Sequence, residues 1–186
     1  MSKETTYAPG LVRIHDKTFE PLLSAEEIRL AVLRLARQMS QDFAGKDPLF
    51  VVVLNGAFIF AADLIRAAEL DPAIVFIRIS SYQDMHTTGT VREVLGLNED
   101  VRDREVVVIE DIVDSGHTVA YLDRLLREKG ASGVTFAALL LKEDAYQYDI
   151  PVTYVGFRIP NRFVVGCGLD YNGYGRSLDC VYVLKD

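Results

Sequence analysis

Tryptophan is absent from the 186 residues, and cysteine, histidine and methionine are scarce, at two, three and three. Cys167 and Cys180 form no CxxC and have no Cys/His ligand spacing, so neither a zinc site nor a disulfide framework is indicated. Free buried thiols in a reducing cytoplasm are the expectation. A basic surplus is also missing. Lys and Arg number 20 against 27 Asp and Glu, for a net charge of -7 and a pI near 5.0. That balance disfavours a nucleic acid or an anionic membrane as the main partner. No apolar run approaches a membrane span, and "MSKETTYAPG" lacks the apolar core of a signal peptide, so a soluble, cytoplasmic protein is expected. There is no GxxxxGK[ST], no GxGxxG and no GxSxG, which argues against a P-loop NTPase, a dinucleotide fold and an α/β-hydrolase. Internal repeats and low-complexity tracts are lacking too.

With 49% hydrophobic and 25% charged residues, the chain has the makeup of one compact domain. "LVRIHDKTF" alternates roughly and predicts a short strand. Ser24 and Glu27 make a capping-box pattern ahead of a helix whose inner face is Ile28, Ala31, Leu35 and Met39. "LFVVVLNG" reads as a buried strand, Ala57 to Leu70 as a helix stopped by Asp71-Pro72, and "AIVFIRISS" as another strand. The segment from Tyr82 to Arg104 is polar, without clear periodicity, and reads as a mobile functional loop. Beyond it come "VVVI", a helix over about 118–129 with Val119, Leu122 and Leu126 inward and Gly130 as cap, and the strand "VTFAALLL". Strands apolar throughout and alternating with helices predict an α/β fold, a parallel twisted sheet flanked by helices. The turn-rich last third, with the N-terminal segment, predicts a small hood lobe over the carboxyl edge of the sheet. The expected division is a core at about 24–148 and a hood at about 1–20 and 149–186.

One stretch does not read as scaffold. In "VVVIEDIVDSGHTV" a strand buried on both faces runs straight into Glu110, Asp111 and Asp114, then a Ser-Gly turn. Clustered carboxylates repel unless a cation or a hydroxyl-rich ligand lies among them. The following turn offers backbone N–H groups, a helix N-terminus and the hydroxyls of Ser115 and Thr118, which together make a phosphate cradle. A phosphorylated sugar with Mg²⁺ satisfies both halves.

Val106 to Thr118 resembles the phosphoribosyl-diphosphate (PRPP) motif of type I phosphoribosyltransferases: four apolar residues, two acids, two apolar residues, an acid, Ser-Gly and a closing Thr. "YVGFRIPNRFVVGCGLDYNGYGR" is similar to the hypoxanthine-guanine branch, and with "LLLK" and "SSY" the likeness covers the chain from the first helix onward.

The resemblance implies Mg²⁺-dependent transfer of a 5-phosphoribosyl group from PRPP to a 6-oxopurine. Asp114 is then the catalytic base or proton relay at purine N7. Glu110, Asp111 and Asp114, with Ser115, Gly116, His117 and Thr118, take the ribose and 5-phosphate. Leu54, Asn55, Gly56 and Arg176 take pyrophosphate, and the Leu54–Asn55 peptide is expected to be cis or strained. Asn55 departs from the family, many of whose members have lysine there. Lys142, Phe163, Val164 and Asp170 form the purine side: an ammonium for O6, a stacking ring, backbone groups for the base edge, and an acid. A 6-amino group would face the Lys142 donor, so adenine is disfavoured. Glu110, Asp111 and Asp170 are the implied metal residues. Ser81 and Tyr82 open a lid that excludes water. His86 lies in that lid with no settled role, and His117 serves through its backbone. The family also implies a homodimer or homotetramer. Two alternatives remain: a preference for xanthine, and a non-catalytic sensor that binds PRPP.

Overall fold

A computed structural model describes residues 5–8, 10–82 and 90–185. In chain order the elements are β1 (Thr5–Ala8), β2 (Leu11–Ile14), β3 (Lys17–Leu23), α1 (Ala25–Asp42), β4 (Leu49–Leu54), α2 (Phe58–Ala67), β5 (Ala73–Tyr82), β6 (Thr90–Leu95), β7 (Glu105–Val113), α3 (His117–Glu128), β8 (Gly133–Leu141), β9 (Tyr154–Arg158), β10 (Val164–Val165) and β11 (Val181–Leu184). They make a six-stranded sheet, ordered β6-β5-β4-β7-β8-β9, and a five-stranded sheet, ordered β1-β2-β3-β11-β10.

In the larger sheet β5, β4, β7, β8 and β9 run parallel. Their uniformly apolar composition is explained by what covers each face. Phe50, Val52, Val107, Ile109 and Leu139 turn to α1 and α2, meeting Leu35, Met39, Phe60 and Leu64. The alternate residues Val51, Val53, Val106, Val108 and Phe136 meet Val119, Leu122 and Leu126 of α3. Each fully buried side chain of this size contributes about 2 kcal/mol. Phe60→Ala, at a fully buried position, would cost about 3–5 kcal/mol. The capping box starts α1 as its sequence predicts: Glu27 N donates to Ser24 Oγ, and Ser24 N donates to the Glu27 carboxylate at 2.8 Å.

Four expectations change. The N-terminal strand is a hairpin, β2 and β3, turning at His15 and Asp16, with β1 added outside it. Helix α2 ends at Ala67 because Ala68 is already extended and Glu69 N docks on Ser40 Oγ of α1 at 2.9 Å. Within the expected loop, Thr90–Leu95 pairs antiparallel with β5, from Arg78↔Leu95 to Tyr82↔Thr90. Covering an open sheet edge outweighs the segment's polar composition. Residues 83–89, with His86, lie outside the described residues. Finally β9 belongs to the main sheet, paired with β8, so the hood consists of β1–β3 and the chain after β9. The hood has its own core of Val12, Ile14, Phe19, Val165 and Leu178.

Among the described residues no helix is long and apolar enough to cross a membrane. Both cysteines are free, and burial pushes the Cys167 thiol up to about 12.

Candidate active site

Strand β4 leads on to β5 on one side and β7 to β8 on the other, so the strand order reverses between β4 and β7. A crevice outside the carboxyl ends is expected at such a point. Asp111 and Gly56 meet there: a Cβ on Gly56 would lie 1.5 Å from Asp111 Oδ2. Burial, with the Asp111 charge beside it, pushes the Glu110 carboxyl well above its usual range. Burial likewise raises Asp111 to about 6, opposed by a hydrogen bond from Ile112 N at 2.9 Å and by the Arg176 charge. Two adjacent acids that hold their protons this tightly are poised to gain from a cation or a hydroxylated ligand.

The turn that follows has Gly116 at φ 89°, a conformation that favours glycine. Gly116 is also the N-cap of α3 and offers no side chain to cap it. The first-turn amides of α3 therefore face the turn without a capping oxygen, the arrangement that receives an anion.

A second group of the expected residues stands at two strand ends. Lys142, directly after β8, is buried, and its Nζ lies 2.6 Å from Asp114 Oδ2. Taken alone, a lysine at a strand end reads as a surface residue; burial against a carboxylate that is itself half-exposed excludes that. Phe163 is 44% exposed, too open for a core ring, although Phe19 lies 6.2 Å and Tyr171 5.9 Å away. β10 is the last strand of the hood sheet. Leu184 N donates to Phe163 O at 2.8 Å, and Val164 stands opposite Val183. The alternation of an antiparallel pair then turns the N–H and C=O of Val164 away from β11, toward the free edge. A cleft of about 520 Å³ is lined by Lys17, Phe163, Asp170, Tyr171, Asn172 and Leu184.

The hood loop closes the crevice. Arg176 pairs with Asp170 at 2.6 Å and donates to Gly168 O at 2.6 Å, while Asp170 accepts from Gly173 N. Gly168 sits so close to Gly56 that a Cβ on it would lie 2.0 Å from Gly56 O. The Leu54–Asn55 peptide is cis, and Asn55 is exposed. Ser81 and Tyr82 end β5. Glu110, Asp111 and Asp170 do not form a single metal cage: no group of three or more His, Cys, Asp or Glu gathers to hold an ion among the described residues. Asp170 is instead engaged by Arg176 and Gly173.

Two features escape the sequence. Tyr171 packs edge-on against Phe163 and donates to Asp16 at 2.8 Å. Tyr148 meets His117, Nδ1 to hydroxyl, at 2.7 Å. The paired aromatics of "AYQYD", close after Lys142, were the available signal for the second.

Comparison with known proteins identifies the family. The phosphoribosyl transferase domain matches residues 20–172. The hypoxanthine-guanine phosphoribosyltransferase of Aquifex aeolicus is 35% identical over 175 residues, 93% of this chain and 98% of that one. The Mycobacterium bovis enzyme of the same name is 38% identical over 170 residues, 88% of this chain and 84% of its own. Among solved structures, a hypoxanthine-guanine phosphoribosyltransferase from Bacillus anthracis superposes with a TM-score of 0.83 at 35% identity, covering 90% of this chain and 97% of that one. A hypoxanthine phosphoribosyl transferase from Trypanosoma cruzi gives 0.85 at 31%, covering 93% and 94%. The match to the family runs over most of the chain, and the chain belongs to the phosphoribosyltransferases, in their hypoxanthine-guanine branch.

Proposed function

We propose that this chain is a purine-salvage enzyme that transfers the 5-phosphoribosyl group of PRPP to hypoxanthine, and to guanine, giving IMP or GMP and pyrophosphate. One observation carries the reading: a buried ammonium, Lys142 Nζ, stands 2.6 Å from the Asp114 carboxylate. A 6-oxopurine presents O6 and N7 side by side, so this pair meets it with a donor for O6 and an acceptor for the proton at N7. The Val164 backbone groups on the hood edge take the base's hydrogen-bonding edge, and Phe163 stacks on its face. A 6-amino group would bring a donor against the Lys142 donor, which is how adenine is refused.

The turn Ser115–Thr118 receives the 5-phosphate, and Glu110 and Asp111 receive the ribose hydroxyls. Leu54, Asn55, Gly56 and Arg176 hold the pyrophosphate end, and Ser81 and Tyr82 shield the reacting carbon from water. Attack by the base nitrogen at C1 of the ribose, with departure of pyrophosphate, then needs Asp114 only for the proton and the surrounding groups for alignment. The carboxylates fit Mg²⁺, which is bound through one or two acids together with ligand phosphate oxygens rather than by an all-protein cage. Glu110, Asp111 and Asp170 are the residues that would hold it, Asp170 on exchanging its Arg176 partner for the ion. Bound there, the ion would neutralise charge on the departing pyrophosphate. Cytoplasmic location and homodimeric or homotetrameric assembly belong to the same proposal and rest on the family alone.

The test is nucleotide formation from PRPP and Mg²⁺ with hypoxanthine, guanine, xanthine and adenine in parallel. Turnover with hypoxanthine or guanine, none with adenine, and loss on adding EDTA is the expected result. Tight PRPP binding without turnover on any base would overturn it in favour of a sensor.

A further inference from the structure

The segment after Lys142 has no part in the reaction proposed above, yet it is bound to the acidic turn along its length. Lys142 N donates to Val113 O at 2.9 Å, and Gln147 N donates to Ser115 O at 3.1 Å. Between them a 3-10 turn, Glu143–Ala145, brings two tyrosine rings onto the turn. A Cβ on Gly116 would lie 2.4 Å from Tyr146 Cε2 and 2.9 Å from Tyr148 Cδ2, so both rings rest against that glycine. The Tyr146 hydroxyl donates to Ile150 O at 2.6 Å and ties down its own loop. The Tyr148 hydroxyl lies 2.7 Å from His117 Nδ1, with the two rings meeting edge-on, centroids 5.6 Å apart at 77°. Ser115, Gly116 and His117 are therefore all engaged by one short segment, with Tyr148 touching the last two.

This matters because a glycine turn is the least ordered of anion cradles. Glycine loses more conformational freedom on being fixed than any other residue. Unless something holds the turn before the ligand arrives, that loss is charged to binding. Gly116 has no capping side chain of its own, and the two tyrosine rings are what confine it.

We propose that Tyr148 is a positioning residue for the 5-phosphate turn, holding His117 through its hydroxyl and, with Tyr146, holding Gly116 through its ring. The proposal rests on the reading of Ser115–Thr118 as the phosphate cradle. It predicts a selective effect: ligands that carry a 5-phosphate depend on Tyr148, and the free base and pyrophosphate do not.

The experiment compares wild type, Tyr148→Phe, His117→Ala, His117→Asn and the Tyr148→Phe/His117→Ala double variant as full chains. Steady-state kinetics give kcat and the KM values for PRPP and hypoxanthine; calorimetry gives Kd for ribose 5-phosphate and for magnesium pyrophosphate. Loss of one hydrogen bond in Tyr148→Phe should raise PRPP KM and ribose 5-phosphate Kd about three- to tenfold. Its kcat, hypoxanthine KM and pyrophosphate Kd should stay within about twofold. His117→Ala should weaken ribose 5-phosphate similarly, and the double variant should be no worse than the worse single, as for two residues acting through one contact. His117→Asn, whose side-chain amide can stand where Nδ1 stands, should recover most of the loss. Unchanged ribose 5-phosphate affinity in Tyr148→Phe would overturn the proposal. So would equal losses for hypoxanthine and pyrophosphate, which mark general loosening, or additive losses in the double variant. A wild type that makes no nucleotide from any base, with the ribose 5-phosphate results as expected, would remove the enzyme reading and leave the positioning role. A wild type that does not bind ribose 5-phosphate would remove both.

Discussion

Gly56→Ala tests the crevice most directly. Gly56 is not among the glycines with positive φ, so its backbone conformation admits alanine and the whole effect is steric. The added methyl would lie 1.5 Å from Asp111 Oδ2 and 2.4 Å from its Cγ. Ordinary contact is about 3.5 Å, so from 1.5 Å the two groups must part by roughly 2 Å. The loop cannot give way toward the hood, because Gly168 already touches Gly56 O from that side. The Asp111 carboxylate must therefore move. Misplacement by about 1 Å at a reacting centre costs on the order of 100-fold, so kcat/KM for PRPP should fall by about 100-fold or more, equivalent to about 2.7 kcal/mol. Overpacking at this contact should also cost about 1–3 kcal/mol of stability, read as a lower melting temperature. The assay is nucleotide formation at saturating hypoxanthine with PRPP varied, alongside calorimetric unfolding. A variant within about threefold of wild-type kcat/KM would refute the argument, since Asp111 would then tolerate displacement or the loop would relax without cost.

Further outcomes follow from the same geometry. Burial raises Asp111 from 3.8 to about 6, so the folded chain holds this proton more tightly than the unfolded chain does, and stability falls as pH rises from 3.8 to about 6. That loss is worth about 3 kcal/mol and is complete above the upper value; Asp111→Asn should melt higher than wild type at pH 7.5 and no higher at pH 3.5, and equal melting temperatures at both would refute it. Asp114→Asn should lose about 10²- to 10⁴-fold in kcat while calorimetric PRPP affinity stays within about threefold; near-normal turnover would remove the proton role. Lys142→Met puts an apolar side chain of similar length in the buried position, and the Asp114 carboxylate left behind is half-exposed and can be hydrated, so unfolding should change little. Hypoxanthine KM should rise about 10- to 150-fold with the lost charged hydrogen bond, and the preference over adenine should narrow; an unchanged KM would exclude Lys142 from the base.

The parts of the fold that were legible in the sequence are those in which neighbouring residues carry the whole signal. Val106–Ile109 announces a strand buried on both faces, and Ser24 with Glu27 marks the start of α1. Thr90–Leu95 was not legible, because its pairing with β5 is tertiary and its composition is polar. Membership of β9 in the main sheet was hidden for the same reason: "YVGFR" reads as a strand in either lobe, and only its register with β8 decides. In the site, the acids and the glycine turn stood in one contiguous motif. The burial of Lys142 against Asp114 joins residues at the ends of two adjacent strands, and the contact of Tyr148 with His117 crosses the same gap. No local pattern encodes the first contact, and the paired aromatics of "AYQYD" mark the second without naming its partner.

The position of Val164 on the free edge of the hood sheet has an evolutionary consequence. On the proposed reading it meets the base through main-chain groups that every residue but proline possesses. Its own side chain points into packing rather than toward the ligand, at 5% exposure. Changes among apolar residues there would alter stability and leave base recognition intact, so a scan by side-chain replacement would pass over this contact. Selection for a different base would have to act elsewhere, on Lys142 and on whatever moves the strand as a whole.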